Sequence, residues 1–202
     1  WRALVESLEA MDLEALDSRA ARLAFWIDAY NVLAIDVVVR QRPEESIRDV
    51  GNFLFPVWKR TVATIGGEAR SLDEIEHDIL RPMGDPRIHG AIVCASVSCP
   101  PLRREPYRPG SLDTQLDDNV RRWLADPRKG LRVDRERKTV WLSSLFEWFE
   151  EDFREAGGVL AFVRRHAPEA EARWLAEHGD EARLRYLDYD WGLNALSAAP
   201  GR

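Results

Sequence analysis

The chain has 202 residues, of which 45% are hydrophobic and 32% charged, with eight Trp and a formal net charge of −6. That apolar share excludes a disordered chain and supports a dense aromatic core. The acidic balance excludes a nucleic-acid binder built on a basic face, and no apolar run approaches the roughly 20 residues of a membrane helix.

Leu4, Val5, Leu8, Leu13 and Leu16 predict an amphipathic helix over residues 1–16. A second helix is predicted over 19–40. Its apolar residues occur all round, which marks a buried central helix. Residues 61–65 read as a strand turning at Gly66-Gly67. Ser71 with Glu74 is a capping-box pattern opening a helix that stops before Pro82. Residues 88–97, rich in small and β-branched side chains, read as a buried strand ended by Pro100-Pro101. Ser111 marks a helix to about Ala125. Residues 131–133 and 139–142 form a predicted hairpin with a basic, solvated tip. Ser144 with Glu147 reads as a second capping box, and Gly157-Gly158 breaks the helix it opens. Two helices divided by Pro168 follow, then a strand over 184–191 and a frayed tail after Asn194. This pattern predicts a helix-rich α+β single domain, with the central helix packed on a small, mostly antiparallel sheet.

Four features carry potential chemistry. Asp28 and Asn31, three apart on the central helix, share a face. Glu76 lies at the core edge of the short helix, and His77 projects about 100° away from it. Arg87 and His89 fall on one face of the predicted strand. Ser98-Cys99-Pro100-Pro101 ends that strand, where Pro100 holds Cys99 extended. Cys94, mid-strand, reads as core. A Cys94–Cys99 disulfide requires the strand end to turn back, because the Cα atoms must come within about 7 Å. Two cysteines make no disulfide scaffold, and no paired zinc spacing, phosphate loop or serine elbow is present.

At these residues the chain resembles the family known as domain of unknown function 547. The blocks are Phe25–Asn31, Leu72–His77 with Ile79–Arg81, Asp85–His89, Cys94 with Ser98–Leu102, Leu142–Phe149, Glu151–Phe153 and Tyr189–Asn194. The resemblance spans residues 20–196, leaving 1–18 as an added helix and 197–202 as a tail. It implies a largely bacterial family with plant relatives, some members exported, whose recurring polar positions fall on Asn31, Glu76, His77, Arg87, His89 and Cys99. Two departures stand out: Asp28 where the family usually has Asn, and Ala95 where it often has Gly.

The expected function is a cysteine-nucleophile hydrolase or acyl-transfer enzyme acting on an amide or peptide-like small substrate. Cys99 attacks, His89 or His77 takes the proton and Glu76 orients the imidazole. Arg87, Asn31, Asp28 and Ser98 are the ligand contacts, with Arg87 or Asn31 at the oxyanion. By analogy, the arrangement is compatible with a rearranged cysteine-protease-like architecture. The alternative is a non-catalytic module binding a small anionic peptide or thiol compound, with Arg87 as its carboxylate fork. A metal site built from Glu76, His77, His89 and Cys99 is disfavoured, since no two ligands have the usual local spacing. No cofactor is implied. The first residue is Trp1, not Met, which leaves an exported precursor open. Compartment and oligomeric state are not set by the sequence.

Overall fold

A computed structural model describes residues 1–52 and 55–195. Helix α1 (Arg2–Glu9) ends earlier than its apolar pattern suggests, because Asp12 caps a separate 3-10 turn, Leu13–Ala15, by accepting from the Glu14 amide. Helix α2 (Arg19–Gln41) is capped by Ser18, whose hydroxyl accepts from the Ala21 amide. From Leu23 to Val37 it is buried on nearly every side, as expected of a central helix.

Strands β1 (Thr61–Ile65) and β2 (Glu68–Ser71) form the predicted antiparallel hairpin. Ser71 and Glu74 form a complete capping box at the start of α3 (Leu72–Glu74). That helix continues at once as π-helical turns over Ile75–Leu80, then a 3-10 turn at Arg81–Met83. Helix α4 (Leu112–Leu124) starts after Ser111, but the Ser111 hydroxyl donates to Gln115 rather than capping.

A three-stranded sheet of β3 (Leu131–Asp134), β4 (Thr139–Leu142) and β5 (Arg183–Tyr186) follows. The β3–β4 pair is antiparallel and β4–β5 parallel, so this sheet is mixed. Strand β5 is shorter than predicted. Helix α5 (Leu145–Trp148) starts after Ser144, whose own backbone is already helical. The Ser144 hydroxyl donates to the Leu187 carbonyl instead of capping, which ties the chain after β5 to α5. Helices α6 (Val159–His166) and α7 (Glu169–His178) pack beside it, divided at Pro168. The predicted tail, 197–202, lies outside the described residues.

The architecture is therefore helix-rich α+β. One apolar cluster surrounds α2 and the β1–β2 hairpin. A second unites α4, β4 and α5 to α7, where Trp123 stacks on Phe146 at 4.8 Å. Among the described residues no helix is long and apolar enough to cross a membrane.

The predicted strand over 88–97 does not form. Asp85 accepts from the Arg87 amide and Pro86 occupies the first turn, and these start a 3-10 turn over Pro86–Gly90. An Asx cap followed by proline is a helix-start signal that outweighs β-branched composition here. Gly90 lets α4 approach: a Cβ there would meet Val120 Cγ2 at 2.8 Å. Side-chain amides replace the missing ladder. Asn31 donates to the Ala91 carbonyl at 2.9 Å and accepts from the Val93 amide at 2.8 Å. Asn119 donates to the Gly90 carbonyl and, at 2.9 Å, to that of Pro101. Buried backbone groups are thus paired without a sheet.

Candidate functional site

Because the strand is absent, residues 91–99 form a folded-back segment. Ala95 has φ +61°, the left-handed region that favours glycine, at the position where the resembled family often has Gly. The Cys99 amide then donates to the Ser96 carbonyl. Cys94 and Cys99 are brought together, with their sulfurs 2.9 Å apart, and both are free thiols. Cys99 is buried at 3% exposure. Cys94 is half-buried and faces a cavity, so it is not the core residue its sequence context suggested.

This cavity, about 250 Å³, is lined by Cys94, Cys99, His89, His77, Glu76 and Tyr30 among others. All four residues expected to be catalytic therefore share one space. The π-helical turns present Glu76 and His77; the 3-10 turn after Asp85 presents His89. Trp58, Trp148, Phe149, Tyr189 and Trp191 form aromatic walls. Tyr189 and Trp191 lie 4.6 Å apart, and Trp148 packs on both at 4.9 and 5.7 Å.

The segment after β5 carries Tyr189 and Trp191 to the thiols. The Val97 amide donates to Gly192, the Ser98 hydroxyl accepts from the Asp190 amide, and the Asn194 amide donates to Ala95. The Tyr189 hydroxyl reaches Cys94 and Cys99 sulfurs at 3.4 and 3.3 Å.

His89 is 2% exposed. Its Nε2 lies 2.7 Å from Asp152 Oδ2, and its ring stacks on Phe149 at 4.2 Å. Arg81 grips the same carboxylate with Nε at 2.7 Å and Nη2 at 2.8 Å, while its Nη1 donates to His77 Nδ1 at 2.9 Å. Burial opposes ionisation of Asp152, but hydrogen bonds from His89 and Arg81 win and hold its carboxyl well below the carboxylate range. An ionised Asp152 only accepts, so Nε2 of His89 carries the proton. Burial pushes the His89 imidazole down against the pull of Asp152, so it is neutral and Nδ1 keeps its lone pair. The orienter of His89 is thus Asp152. Glu76, expected in that role, accepts from the Tyr30 hydroxyl at 3.1 Å. Burial raises the Glu76 carboxyl to about 7, despite that bond.

The thiols titrate as a pair. Hydrogen bonding from Cys99, with further help from Ser96 and Tyr189, lowers Cys94 to about 6. Burial and the neighbouring sulfur hold the second proton, on Cys99, well above the thiol range. Among the described residues no hydrogen bond joins an imidazole to either thiol. The groups touching the sulfurs are Ser96, Tyr189 and the Cys94 amide.

The four expected ligand contacts line other places. Asn31 is spent on the backbone of residues 91–93. Ser98 holds the Asp190 amide. Arg87 is clamped by Asp85, Asp113 and Asp117 at 2.7 to 2.9 Å, on a surface beside α4. Asp28 accepts from the Tyr107 amide at 3.1 and 3.2 Å. Burial raises Asp28 to about 6, against that bond. A carboxyl raised on folding stabilises fully below its unfolded value near 3.9, and that stability is lost as pH rises through 6. Asp28→Asn is expected to raise stability at pH 8 by roughly 1–3 kcal/mol and to have little effect at pH 4. Urea titrations at the two pH values check this; equal effects at both would sink it.

Among the described residues no Lys or Arg lines the cavity, which leaves an anionic ligand without its fork. Nor is any group of three or more His, Cys, Asp or Glu placed to hold a metal ion. Asp152, Arg81, Tyr30 and Tyr189 were not singled out by the sequence, although all four lie inside its recognisable blocks.

Compared with known proteins, residues 13–124 match the family described as "Protein of unknown function, DUF547". No curated protein matches, and no solved structure does.

Proposed function

Since the chain belongs to the DUF547 family, whose description assigns no reaction, we propose from the site alone that it is a thiol-dependent acyl-transfer enzyme or hydrolase. The observation that carries this reading is a lowered thiol in the same cavity as an Asp-oriented, neutral imidazole. The nucleophile is the thiolate of the Cys94–Cys99 pair, reached through Cys94, which is the more exposed of the two. It attacks the carbonyl carbon of an amide or ester. The carbonyl oxygen gains charge where the Tyr189 hydroxyl is available as donor. Glu76, half-protonated near neutral pH, gives the leaving nitrogen its proton as the C–N bond breaks. A thioester remains. Water then attacks it, His89 Nδ1 takes the water proton, and Cys94 thiolate leaves. The walls fit an apolar or aromatic acyl group, and the carboxyl-bearing rim fits a neutral or cationic one rather than an anion.

Alkylation by iodoacetamide, followed by mass spectrometry at each cysteine, tests the premise. Cys94 is expected to react with a midpoint near pH 6, well below the roughly 8.5 of a free thiol. Exposure to 4-nitrophenyl acetate is expected to give a burst with the acetyl group on Cys94, abolished in Cys94→Ala. A Cys94 that stays inert until the chain unfolds removes the nucleophile and with it this reading. The binding-module reading predicts the low midpoint without any burst.

A further inference from the structure

The acyl chemistry needs one thiolate, yet the fold places two thiols in contact. The segment joining them is held in its folded-back form from outside. Ser96 pairs with Leu193 as an isolated bridge, and the Ala95 carbonyl and Val97 amide are both bonded to the chain beyond Tyr189. Within the loop the Cys94 amide donates to Cys99 Sγ at 3.1 Å. The sulfurs are thus presented to each other before any reaction, so closing a bond between them orders little additional chain. Both line the cavity, but unequally: Cys94 is half-buried and Cys99 is buried. An accessible attacking thiol with a sheltered partner is the arrangement that thiol–disulfide exchange requires.

We propose that Cys94 and Cys99 are a redox pair, and that the cavity reduces a small, uncharged or cationic disulfide bearing apolar or aromatic groups. This goes beyond the acyl reading and does not depend on it. Cys94 thiolate attacks one sulfur of R–S–S–R, and that S–S bond breaks. The first R–S⁻ leaves and takes a proton from water, the equivalent of the one Cys94 released on ionising, and R–S remains on Cys94 as a mixed disulfide. Cys99 gives up its proton to the departing group and attacks Cys94 Sγ. The mixed disulfide breaks and the second R–SH leaves. The two cysteines are oxidised by two electrons to Cys94–S–S–Cys99, and the substrate is reduced by the same two electrons to two R–SH. The substrate class follows from the walls, where Trp58, Trp148 and Trp191 offer aromatic surface and, among the described residues, no Lys or Arg lines the cavity to hold an anion.

The probe is 4,4′-dithiodipyridine, an uncharged aromatic disulfide, in a small excess over reduced protein, with the released thiopyridone read by absorbance and the protein by intact mass. Wild type is expected to release two thiopyridones for one probe consumed, to lose two hydrogens in mass, and to return to the dithiol with dithiothreitol. Cys99→Ser is expected to release one and retain the other on Cys94. Glutathione disulfide, anionic and polar, is expected to react at least tenfold more slowly than the aromatic probe relative to a free cysteine control. If wild type stops with a thiopyridyl group on either cysteine, or carries one on each, the proposal is overturned, and that result is read on the wild type whatever the variant's fold. Equal rates for both disulfides overturn the assigned substrate class. The same preparation treated with 4-nitrophenyl acetate separates the two readings. An internal disulfide without acyl-Cys94 sinks the acyl-transfer reading alone, and acyl-Cys94 with only mixed disulfides sinks this one alone.

Discussion

Asp152→Asn is expected to slow turnover of an acylated site by roughly 10²–10⁴-fold, while the burst that forms the acyl-enzyme persists. The carboxylate fixes the tautomer of His89 through the 2.7 Å bond to Nε2, which leaves the Nδ1 lone pair for the base role proposed above. An amide in its place has the same shape but sets its NH₂ against an Arg81 donor whichever way it lies; that loosens the Arg81 grip and lets the NH₂ turn toward Nε2. His89 then carries its proton on Nδ1 and has no lone pair to offer the cavity. Glu76 and the thiols, to which the first half of the proposed reaction is assigned, keep their own partners. The signature is an acyl-enzyme that accumulates, seen as intact mass with the acyl group still on Cys94 after the burst. Loss of burst and turnover in equal measure would mean that His89 acts on the thiol itself, and the division of labour proposed above would be wrong. The substitution also changes the acid limb of stability. The depressed Asp152 carboxyl contributes stability that is present above the unfolded value near 3.9 and lost as pH falls below it, and Asp152→Asn has no such loss.

A second substitution should act on the fold rather than the chemistry. Asn31 is 4% exposed and replaces a strand partner for residues 91–93. Asn31→Ala leaves a buried carbonyl and a buried amide without partners, at roughly 1–3 kcal/mol each. The expected loss is about 2–5 kcal/mol, or roughly 5–15 °C in Tm for a chain of this size. Asn31→Asp should be as harmful, because it retains the acceptor for Val93 but sets a carboxylate against the Ala91 carbonyl. Thermal melts of the three proteins decide it: a loss below about 1 kcal/mol in Asn31→Ala would show that water replaces the amide. Val93 precedes Cys94, so a loosened segment also predicts a rise of the alkylation midpoint toward that of a free thiol.

The two substitutions mark where sequence reading succeeds and where it stops. Gly66-Gly67, the Ser71–Glu74 box and the break at Pro168 announce themselves within a few residues, and the hairpin, the capped start of α3 and helices α6 and α7 form as read, whereas the helix read from Ser144 ends at Trp148, well short of Gly157-Gly158. His77, His89 and Cys99 could be gathered as candidates because their residue types are rare and chemically capable, and Glu76 because helix spacing sets a carboxylate at the core edge. The relations between them were not legible. The partner of His89 is 63 positions away, and that of Cys94 at Tyr189 is 95 away. Nothing local distinguishes Asp152 from its neighbours Glu150 and Glu151. Composition actively misled at residues 88–97, where Val and Ile suggest a strand but the Asp85-Pro86 start and two side-chain amides impose another path. Arg87 looked like a free anion fork for a related reason: two of its three aspartates, Asp113 and Asp117, are set by α4, 26 and 30 positions away, and Asp85 alone of the three belongs to its own segment.

The wall from Tyr189 to Leu193 has a consequence for how the protein comes into being. Synthesis runs from the first residue onward, so Cys94 and Cys99 leave the ribosome long before Asp152, Tyr189 and Trp191 exist. During that interval the pair lacks the Tyr189 hydroxyl, the clasp at Ser96–Leu193 and one side of its cavity, and His89 lacks the carboxylate that fixes its tautomer. The nascent chain therefore carries its thiols without these contacts until Tyr189 to Leu193 dock, and the reactivity proposed above would be set only at that step.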